Sequence, residues 1–247
     1  MRVVLGGRGP PPASNPLTAR TRHMAFKPLK ETLRRLLEDG NLEEIAEITT
    51  GRKRTLGSLI ALTYDADLQI GWRSIEAMGL AVERLSRRSP GYVKDHMRRL
   101  YWLITEESGG VFWRAPECMA ECSARLPRLL QDFIPIAFHL LETLEEEDLD
   151  HFRPGALWAV GRLAGLARDE LDSVLPLVRE SLSDGNPQAR GMAVWCLARV
   201  GDGGGLMDRN ELLEDEGPVD LYEGRVVRRT TVAELTRRVL AAPATPS

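Results

Sequence analysis

The chain has 247 residues, of which 43% are hydrophobic and 28% charged, and its formal net charge at pH 7 is −3. The length is ample for one sizeable core, and the charge balance excludes a wholly basic nucleic-acid binder. The three cysteines, Cys118, Cys122 and Cys196, favour reduced thiols and a cytoplasmic location, and no apolar run approaches the roughly 18–20 residues that span a bilayer.

The first 23 residues, MRVVLGGRGPPPASNPLTARTRH, are rich in proline and glycine. They lack the long apolar run of a signal peptide. Because this composition does not build a packed element, we predict a disordered extension over residues 1–23. Met24 begins a better-formed sequence and is an alternative start to Met1. Residues 24–52 are predicted to form N-terminal capping helices, since Pro28–Glu38 carries leucines at helical spacing.

Helical segments alternate with short turns over residues 53–201, which predicts an array of about four helical hairpins. The turns are rich in Asp, Gly and Asn, as in Ser183–Asn186. The predicted pairs are Lys53–Leu62 with 70–85, two helices within about Val93–Leu126, Leu130–Leu144 with Pro154–Ala167, and Glu170–Leu182 with Pro187–Val200.

Residues 202–247 are predicted to form a C-terminal cap, because an end repeat has no neighbour to cover its apolar face. Glycines 203–205 break the array, and Val219–Val227 places Glu-Gly in the middle of β-prone residues, a weak hairpin signal. Thr231–Glu234 has the pattern of a capping box and opens a last helix that runs to Ala241.

A ten-residue block recurs within the array at a period of about 40 residues, which is typical of stacked helical hairpins. The sequence therefore predicts an all-α, right-handed α-solenoid in which the block is the second helix of each hairpin. Each block ends in a small residue that lets adjacent helices approach closely. The four blocks are Ile70–Gly79, Val111–Ala120, Phe152–Gly161 and Ala189–Ala198.

The four blocks divide into two pairs. In the third and fourth, Arg153 and Arg190 follow the first residue, where we expect them to meet an Asp of a neighbouring turn. The first and second instead share Trp-Arg, and they have Glu76 and Glu117 where the other pair has tryptophan. Because Glu is rarely buried without a partner, these two carboxylates either form salt bridges to Arg73 and Arg114, or to a neighbouring repeat, or line an inner groove.

These blocks resemble HEAT repeats, specifically the short HEAT-like repeats named after phycobilisome bilin lyases. The pattern apolar-Arg-x-x-Ala-x-x-Ala-Leu-Gly matches the third and fourth blocks well, and the resemblance covers roughly residues 53–201. The stretches TYDADLQIGWRSIEAMG and RRLYWLITEESGGVFWRAPECMAE also resemble a bacterial group of HEAT-like proteins without an established activity. No chromophore nucleophile is identified, so the resemblance implies a fold and no bilin chemistry.

The main candidate site combines a glycine-containing turn with the tryptophans and carboxylates around it. Its glycine amides would lie near a helix N-terminus, while its acidic side chains fit a cationic or hydrogen-bonding group. The alternative is an elaborate turn that caps the helix. The candidate binding residues are Trp72, Arg73, Glu76, Trp102, Glu106, Glu107, Ser108, Trp113, Arg114 and Glu117.

Two further patterns suggest other chemistry. Clusters of basic residues at 52–54, 87–88 and 98–99 resemble the basic stripe of the HEAT-like alkylpurine glycosylases, in which Trp and a carboxylate lie near the lesion. Cys118 and Cys122 share one helix face at a spacing that supplies half a metal site, but no matching pair of ligands is present, and small core residues are the simpler interpretation.

We therefore predict a non-catalytic scaffold or adaptor that binds a protein or peptide partner on the concave face of the solenoid. No cofactor and no metal are expected, since no nucleotide-binding, metalloprotease or nucleophile-elbow motif is found. The alternative is a nucleic-acid-binding HEAT protein, with base excision as the activity it could carry, and a third hypothesis is an enzyme accessory factor that holds a cofactor or metal.

Overall fold

The computed structural model describes residues 27–105, 114–146 and 150–242. Apart from one small sheet, its regular structure is helical, with short 3₁₀ turns between several α-helices. The helices are α1 Lys27–Glu38, α2 Leu42–Gly51, α3 Thr55–Leu62, α4 Leu68–Ser86, α5 Pro90–Thr105, α6 Ala115–Arg125, α7 Ile134–Glu146, α8 Arg153–Leu163, α9 Arg168–Glu180, α10 Pro187–Val200 and α11 Val232–Ala241. Strands β1 Pro218–Glu223 and β2 Val226–Thr231 form an antiparallel hairpin.

The helices form two layers. Helices α2, α4, α6, α8 and α10 make an inner row in which each packs against the next, and α11 packs against α10 at the end of that row. Helices α3, α5, α7 and α9 pack behind the row, each against the inner helix that follows it. The prediction of an all-α helical repeat is confirmed, while the right-handed sense of the superhelix stays a prediction.

Helices α8 and α10 are apolar on nearly every face because they contact helices on both sides and behind. In α10, every residue from Gly191 to Leu197 is buried. At the beginnings of α4 and α10, Asp67 and Asn186 each accept a hydrogen bond from the backbone two residues further on. Gly201 closes α10 with a left-handed φ of 81°.

The small residues that end the blocks have different environments. A Cβ atom added to Gly79 would lie 2.7 Å from Glu121 Cγ, and one added to Gly161 would lie 2.6 Å from Trp195 Cζ3. These two glycines therefore allow close helix contacts, as predicted. Ala198 is exposed, so the expectation of a close contact is wrong for the fourth block, where the next helix does not cover this position.

Arginine–aspartate pairs connect successive units, as expected from the blocks. Arg153 at the start of α8 lies 3.0 Å from Asp184 in the turn before α10. Arg190 in α10 makes two hydrogen bonds, of 2.7 and 3.0 Å, to Asp215 in the segment that follows. This pairing raises the pKa of the Arg190 guanidinium and lowers that of the Asp215 carboxyl.

The tail contains the expected hairpin and the expected capping box at Thr231 and Glu234. The position of the turn differs from the prediction. Glu223 pairs with Val226, so the two-residue turn is Gly224-Arg225 and not Glu-Gly. Both turn residues have positive φ, 57° and 66°, as a type I′ turn requires, and the glycine takes the first of these positions.

The cysteines belong to the core. Cys118, Cys122 and Cys196 are free and buried, and burial raises the pKa of all three thiols, that of Cys196 to about 12. Within the described ranges, no group of three potential metal ligands comes together. No helix in those ranges is long and apolar enough to cross a membrane.

Substituting leucine for Gly161 should destabilise the fold strongly. The added side chain would collide with the Trp195 ring and approach the Cys196 backbone, whose Cα would lie 3.2 Å from the new Cβ. Overpacking of this kind costs about 1–3 kcal/mol, measurable as a lower midpoint of chemical denaturation. Gly165→Leu is the matched control, because nothing lies within 4 Å of a Cβ at that position. Equal midpoints for the two variants would contradict the close contact.

His96 should make the fold sensitive to acid. It is buried beside Met78, with its Nε2 3.4 Å from the sulfur, and burial together with Arg99 lowers its pKa to about 4. In the unfolded chain the imidazole takes up a proton near its ordinary pKa of 6.5. The free energy of unfolding is therefore highest above pH 6.5 and falls by up to about 3 kcal/mol as the pH drops towards 4.

The substitution His96→Leu should flatten this part of the stability–pH curve, measured by urea denaturation between pH 7 and pH 4. His139→Gln, at an exposed position, should leave the slope unchanged. An unaltered slope in the His96 variant would show that other groups cause the acid sensitivity.

Candidate functional site

The inner row curves into a concave face. Trp72 on α4 and Trp158 on α8 have ring centroids only 5.0 Å apart, although α6 lies between their helices. The axes of neighbouring helices are about 8–10 Å apart. Side chains from two helices that a third one separates can therefore meet only if the row of helices bends so that these side chains converge. Trp158 in turn stacks against Trp195 of α10, at 6.1 Å and an angle of 5°. A tryptophan cluster therefore covers the middle of this face.

The β-hairpin of the tail lies across this face and joins its two ends. Strand β1 contacts α10 and strand β2 contacts α4. Gln188 of α10 donates to Asp220 O at 3.0 Å and accepts from Asp220 N at 2.8 Å. Gln69 of α4 donates to Arg225 O at 2.7 Å and accepts from Val227 N at 2.9 Å. Each glutamine thus replaces a neighbouring strand by pairing with the outer edge of the hairpin.

The tip of the hairpin is held by charge and by an aromatic contact. Tyr222 stacks on Trp72, at 5.5 Å and 6°, and its hydroxyl donates to Glu76 at 2.7 Å. Burial, and then the bond to this carboxylate, raises the pKa of Tyr222. Arg225 lies 3.0 Å from Glu76 and 2.6 Å from Glu43 of α2, and its bond to Glu43 is the main cause that raises its pKa.

The hairpin leaves a cavity on each side. The N-terminal cavity, of about 600 Å³, is lined at the beginnings of the inner helices by residues that include Leu68, Arg114, Pro154 and Pro187. The C-terminal cavity, of about 550 Å³, lies towards their other ends, with Arg125, Arg162 and Arg199 among its lining residues. Trp72 borders both.

An ion pair forms one wall of the N-terminal cavity. The Arg114 guanidinium lies 3.9 Å from the centroid of the Trp72 ring and 3.0 Å from Glu117. Glu117 is 6% exposed, and a Cβ at Gly155 would lie 2.9 Å from its carboxyl carbon, so the glycine makes room for the carboxylate. Arg114 has a left-handed φ of 47°, and its backbone N–H donates to the Tyr64 hydroxyl at 3.1 Å.

Paired charges also line the C-terminal cavity. Glu121 is 5% exposed and lies between Arg125 at 2.6 Å and Arg162 at 2.8 Å. Arg125 also approaches Glu83 at 3.4 Å and Glu76 at 3.8 Å. These carboxylates raise the pKa of Arg125 against the opposing effect of burial. Because each of these buried charges has a partner, the concave face is mixed in charge and not continuously positive.

The structure brings together some of the residues predicted from the sequence. Trp72, Arg114 and Glu117 line the N-terminal cavity, and Glu76 lines the C-terminal cavity. Glu117 pairs with Arg114 as expected, whereas Glu76 pairs with Arg225 of the hairpin, and at 3.8 Å with Arg125 of the next repeat, and not with Arg73. Each of the two carboxylates borders a cavity.

Other predicted residues lie elsewhere. Arg73 lines neither cavity; it donates to the carbonyls of Leu37 and Glu38 at 2.7 Å, which caps α1, and to the Arg225 carbonyl of the hairpin at 3.1 Å. Trp102 is 58% exposed on α5 and lines neither cavity. The predicted residues Glu106, Glu107, Ser108 and Trp113 lie outside the described residues.

The sequence analysis missed the residues that hold the hairpin. Gln69 and Gln188 each stand one position before a block, in Asp-Leu-Gln and Asn-Pro-Gln, so an N-cap residue precedes each by two positions. This repeated placement is a signal that could have marked them. Tyr222 and Arg225 carried no such signal, because they contact residues about 150 positions away, as the separations of 146 and 149 from Glu76 show.

Two of the three basic clusters lie at the ends of helices, whereas Arg98 and Arg99 lie within α5. Arg52, Lys53 and Arg54 follow α2, and Arg87 and Arg88 follow α4; all five are exposed. Lys53 lies 4.9 Å from the centroid of the Tyr92 ring in α5, which places the first cluster beside α5. None of the five forms an ion pair with another described residue. Helix C-termini favour such cations, so their placement has a structural cause.

These features define a helical-repeat protein whose concave face is crossed by its own hairpin. The HEAT-like repeat family matches residues 150–200, from the 3₁₀ turn before α8 to the end of α10. This match supports the resemblance to HEAT-like repeats in the third and fourth blocks. An uncharacterized protein of Archaeoglobus fulgidus is 25% identical over 182 residues, which cover 72% of this chain and 91% of that protein.

The two glutamines should protect separate amides of the hairpin. In the variant Gln69→Ala, the backbone amide of Val227 should exchange its hydrogen about five- to tenfold faster than in the wild type. In Gln188→Ala, the amide of Asp220 should show the same increase. In each case the amide loses a hydrogen bond worth about 1 kcal/mol. Site-resolved hydrogen exchange by NMR measures both. Each variant is the control for the other, and exchange that rises equally at both amides would mean that the hairpin detaches as a unit.

Proposed function

We propose that this protein is a non-catalytic interaction scaffold and that it binds a protein or peptide partner at the N-terminal cavity. The observation that carries the proposal is the exposure of two large apolar side chains at the mouth of this cavity. Tyr64 is 43% exposed and Leu68 is 48% exposed, and both line the cavity. Trp72, Arg114 and Glu117, which the sequence suggested as binding residues, line the same cavity.

The surface suits an apolar anchor from a partner. Large apolar and aromatic side chains beside a pocket supply most of the binding energy at protein interfaces. Arg114 and Glu117 already form an ion pair. They can therefore make polar contacts with a partner without leaving either charge buried and unpaired. The partner approaches from the side of the cavity, because the hairpin covers the centre of the concave face. The free, buried cysteines fit the cytoplasmic location expected from the sequence.

Nucleic-acid binding is the alternative function, and the exposed basic residues at 52–54 and 87–88 are the observation that favours it. The concave face does not support it, since its carboxylates pair with its arginines. Base excision needs a ring on which a base can stack and a carboxylate that is available for chemistry. Trp72 is 7% exposed beneath Tyr222 and Arg114, and Glu117 is bound to Arg114.

Leu68→Glu should abolish or strongly weaken partner binding. The full-length protein is immobilised, cross-linked to proteins in an extract of its own organism, and the partner is identified by mass spectrometry. Calorimetry with the purified partner then compares the wild type with this variant, which should bind about tenfold or more weakly. Glutamate suits the first turn of a helix, so we expect the fold to remain stable.

Met207→Glu is the matched control, because Met207 is 71% exposed and does not line the N-terminal cavity. It should bind like the wild type. Equal affinity of all three proteins would refute the proposed site. Salt-dependent binding of a labelled DNA duplex that is lost in an Arg87→Gln, Arg88→Gln double variant would establish the alternative.

A further inference from the structure

We infer that the C-terminal cavity is a binding site for a small molecule that carries one anionic group on a flat, apolar body. This inference goes beyond the proposed function and does not depend on it, since the cavity lies on the opposite side of the hairpin from the proposed partner site. Three features of the cavity carry it: one unpaired cation, aromatic walls and a suitable volume.

The first feature is the balance of charges around the cavity. Glu121 pairs with Arg125 and Arg162, and Glu76 pairs with Arg225. A third lining carboxylate, Glu223, lies 3.0 Å from Arg238, outside the cavity. The carboxylates of the lining are therefore all engaged.

Arg199 is the exception among the cations that line the cavity. Among the residues that the structure describes, it forms no ion pair, and its guanidinium carbon lies 5.8 Å from the centroid of the Trp195 ring. A guanidinium in this position can form a charge-assisted hydrogen-bond pair with a carboxylate or a phosphate. Arg199 is exposed, so it can offer this pair to an anion that enters from solvent.

The second feature is the aromatic lining. Trp72, Trp158 and Trp195, together with Tyr222 of the hairpin, line the cavity, and the rings of Trp158 and Trp195 are nearly parallel. The three tryptophans are only 6–8% exposed, so a flat ring would contact them edge-on beside the half-buried Tyr222, an arrangement that aromatic pairs favour. Trp158 is 6% exposed, and its indole nitrogen is a buried donor without an acceptor in the described part of the chain. Such donors are rare in folded proteins.

The third feature is the size and position of the cavity. Its volume of about 550 Å³ lies within the range of about 300–1,000 Å³ found for small-molecule sites. The hairpin tip, Gly224 and Arg225, forms one side, so the docked hairpin completes the site. Arg199 lies in the last turn of α10 and is exposed, so the ligand's anionic group would face solvent while its ring lies beside the aromatic side chains.

The test uses 2-naphthoate as the anionic probe and 2-naphthalenemethanol as its neutral counterpart with the same ring. Binding to the full-length protein is measured by calorimetry and by saturation-transfer NMR. Naphthoate should bind saturably and at least about tenfold more tightly than the alcohol, because only the acid pairs with Arg199. The variant Arg199→Gln should remove this difference, and Arg199→Lys should restore part of it.

Arg98→Gln is the control, because Arg98 is exposed on α5, pairs with Asp95 and does not line the cavity. It should bind naphthoate like the wild type, and thermal denaturation should confirm that the variants remain folded. The inference is overturned if naphthoate shows no saturable binding, if it binds no better than the alcohol, or if Arg199→Gln binds it as the wild type does. Naphthyl phosphate, tested in parallel, distinguishes a preference for phosphate from one for carboxylate.

Discussion

The docking of the tail hairpin onto α4 is the contact on which the other features of the concave face depend. A two-stranded hairpin is marginally stable alone in water, and this one gains its stability from side chains of the solenoid. Gln69 and Gln188 satisfy its edges, and Trp72 and Glu76 receive Tyr222. The same contacts divide the face into two cavities, so a single docking event sets the shape of both candidate sites.

The different chemistry of the two cavities follows from the direction of the inner helices. Their beginnings carry the capping residues Asp67 and Asn186, and their last turns carry Arg84, Arg125, Arg162 and Arg199. Both preferences complement the helix dipole. Because the inner helices begin at one cavity and end at the other, their last turns form an edge rich in Arg, whereas their beginnings combine capping residues with Arg114 and Arg153.

Local patterns in the sequence were sufficient to predict the repeats. The spacing of the blocks, the caps and the small residues all depend on contacts within one repeat or between neighbours, as the fit around Gly161 shows. The hairpin contacts could not be predicted in this way, since Tyr222 and Glu76 are 146 residues apart and no periodic pattern connects them. The same reason explains why Glu76 was recognised as unusual while its partners were not.

Linear repeat proteins have nearest-neighbour contacts only, so their end repeats can open independently of the middle. Here the segment that follows the last repeat is bonded to the first, through Arg225 to Glu43 and Glu76. Opening of either end must therefore break contacts that also belong to the other end. The hairpin gives an otherwise one-dimensional array the long-range coupling of a globular domain, which favours unfolding as one cooperative unit over gradual loss of single repeats.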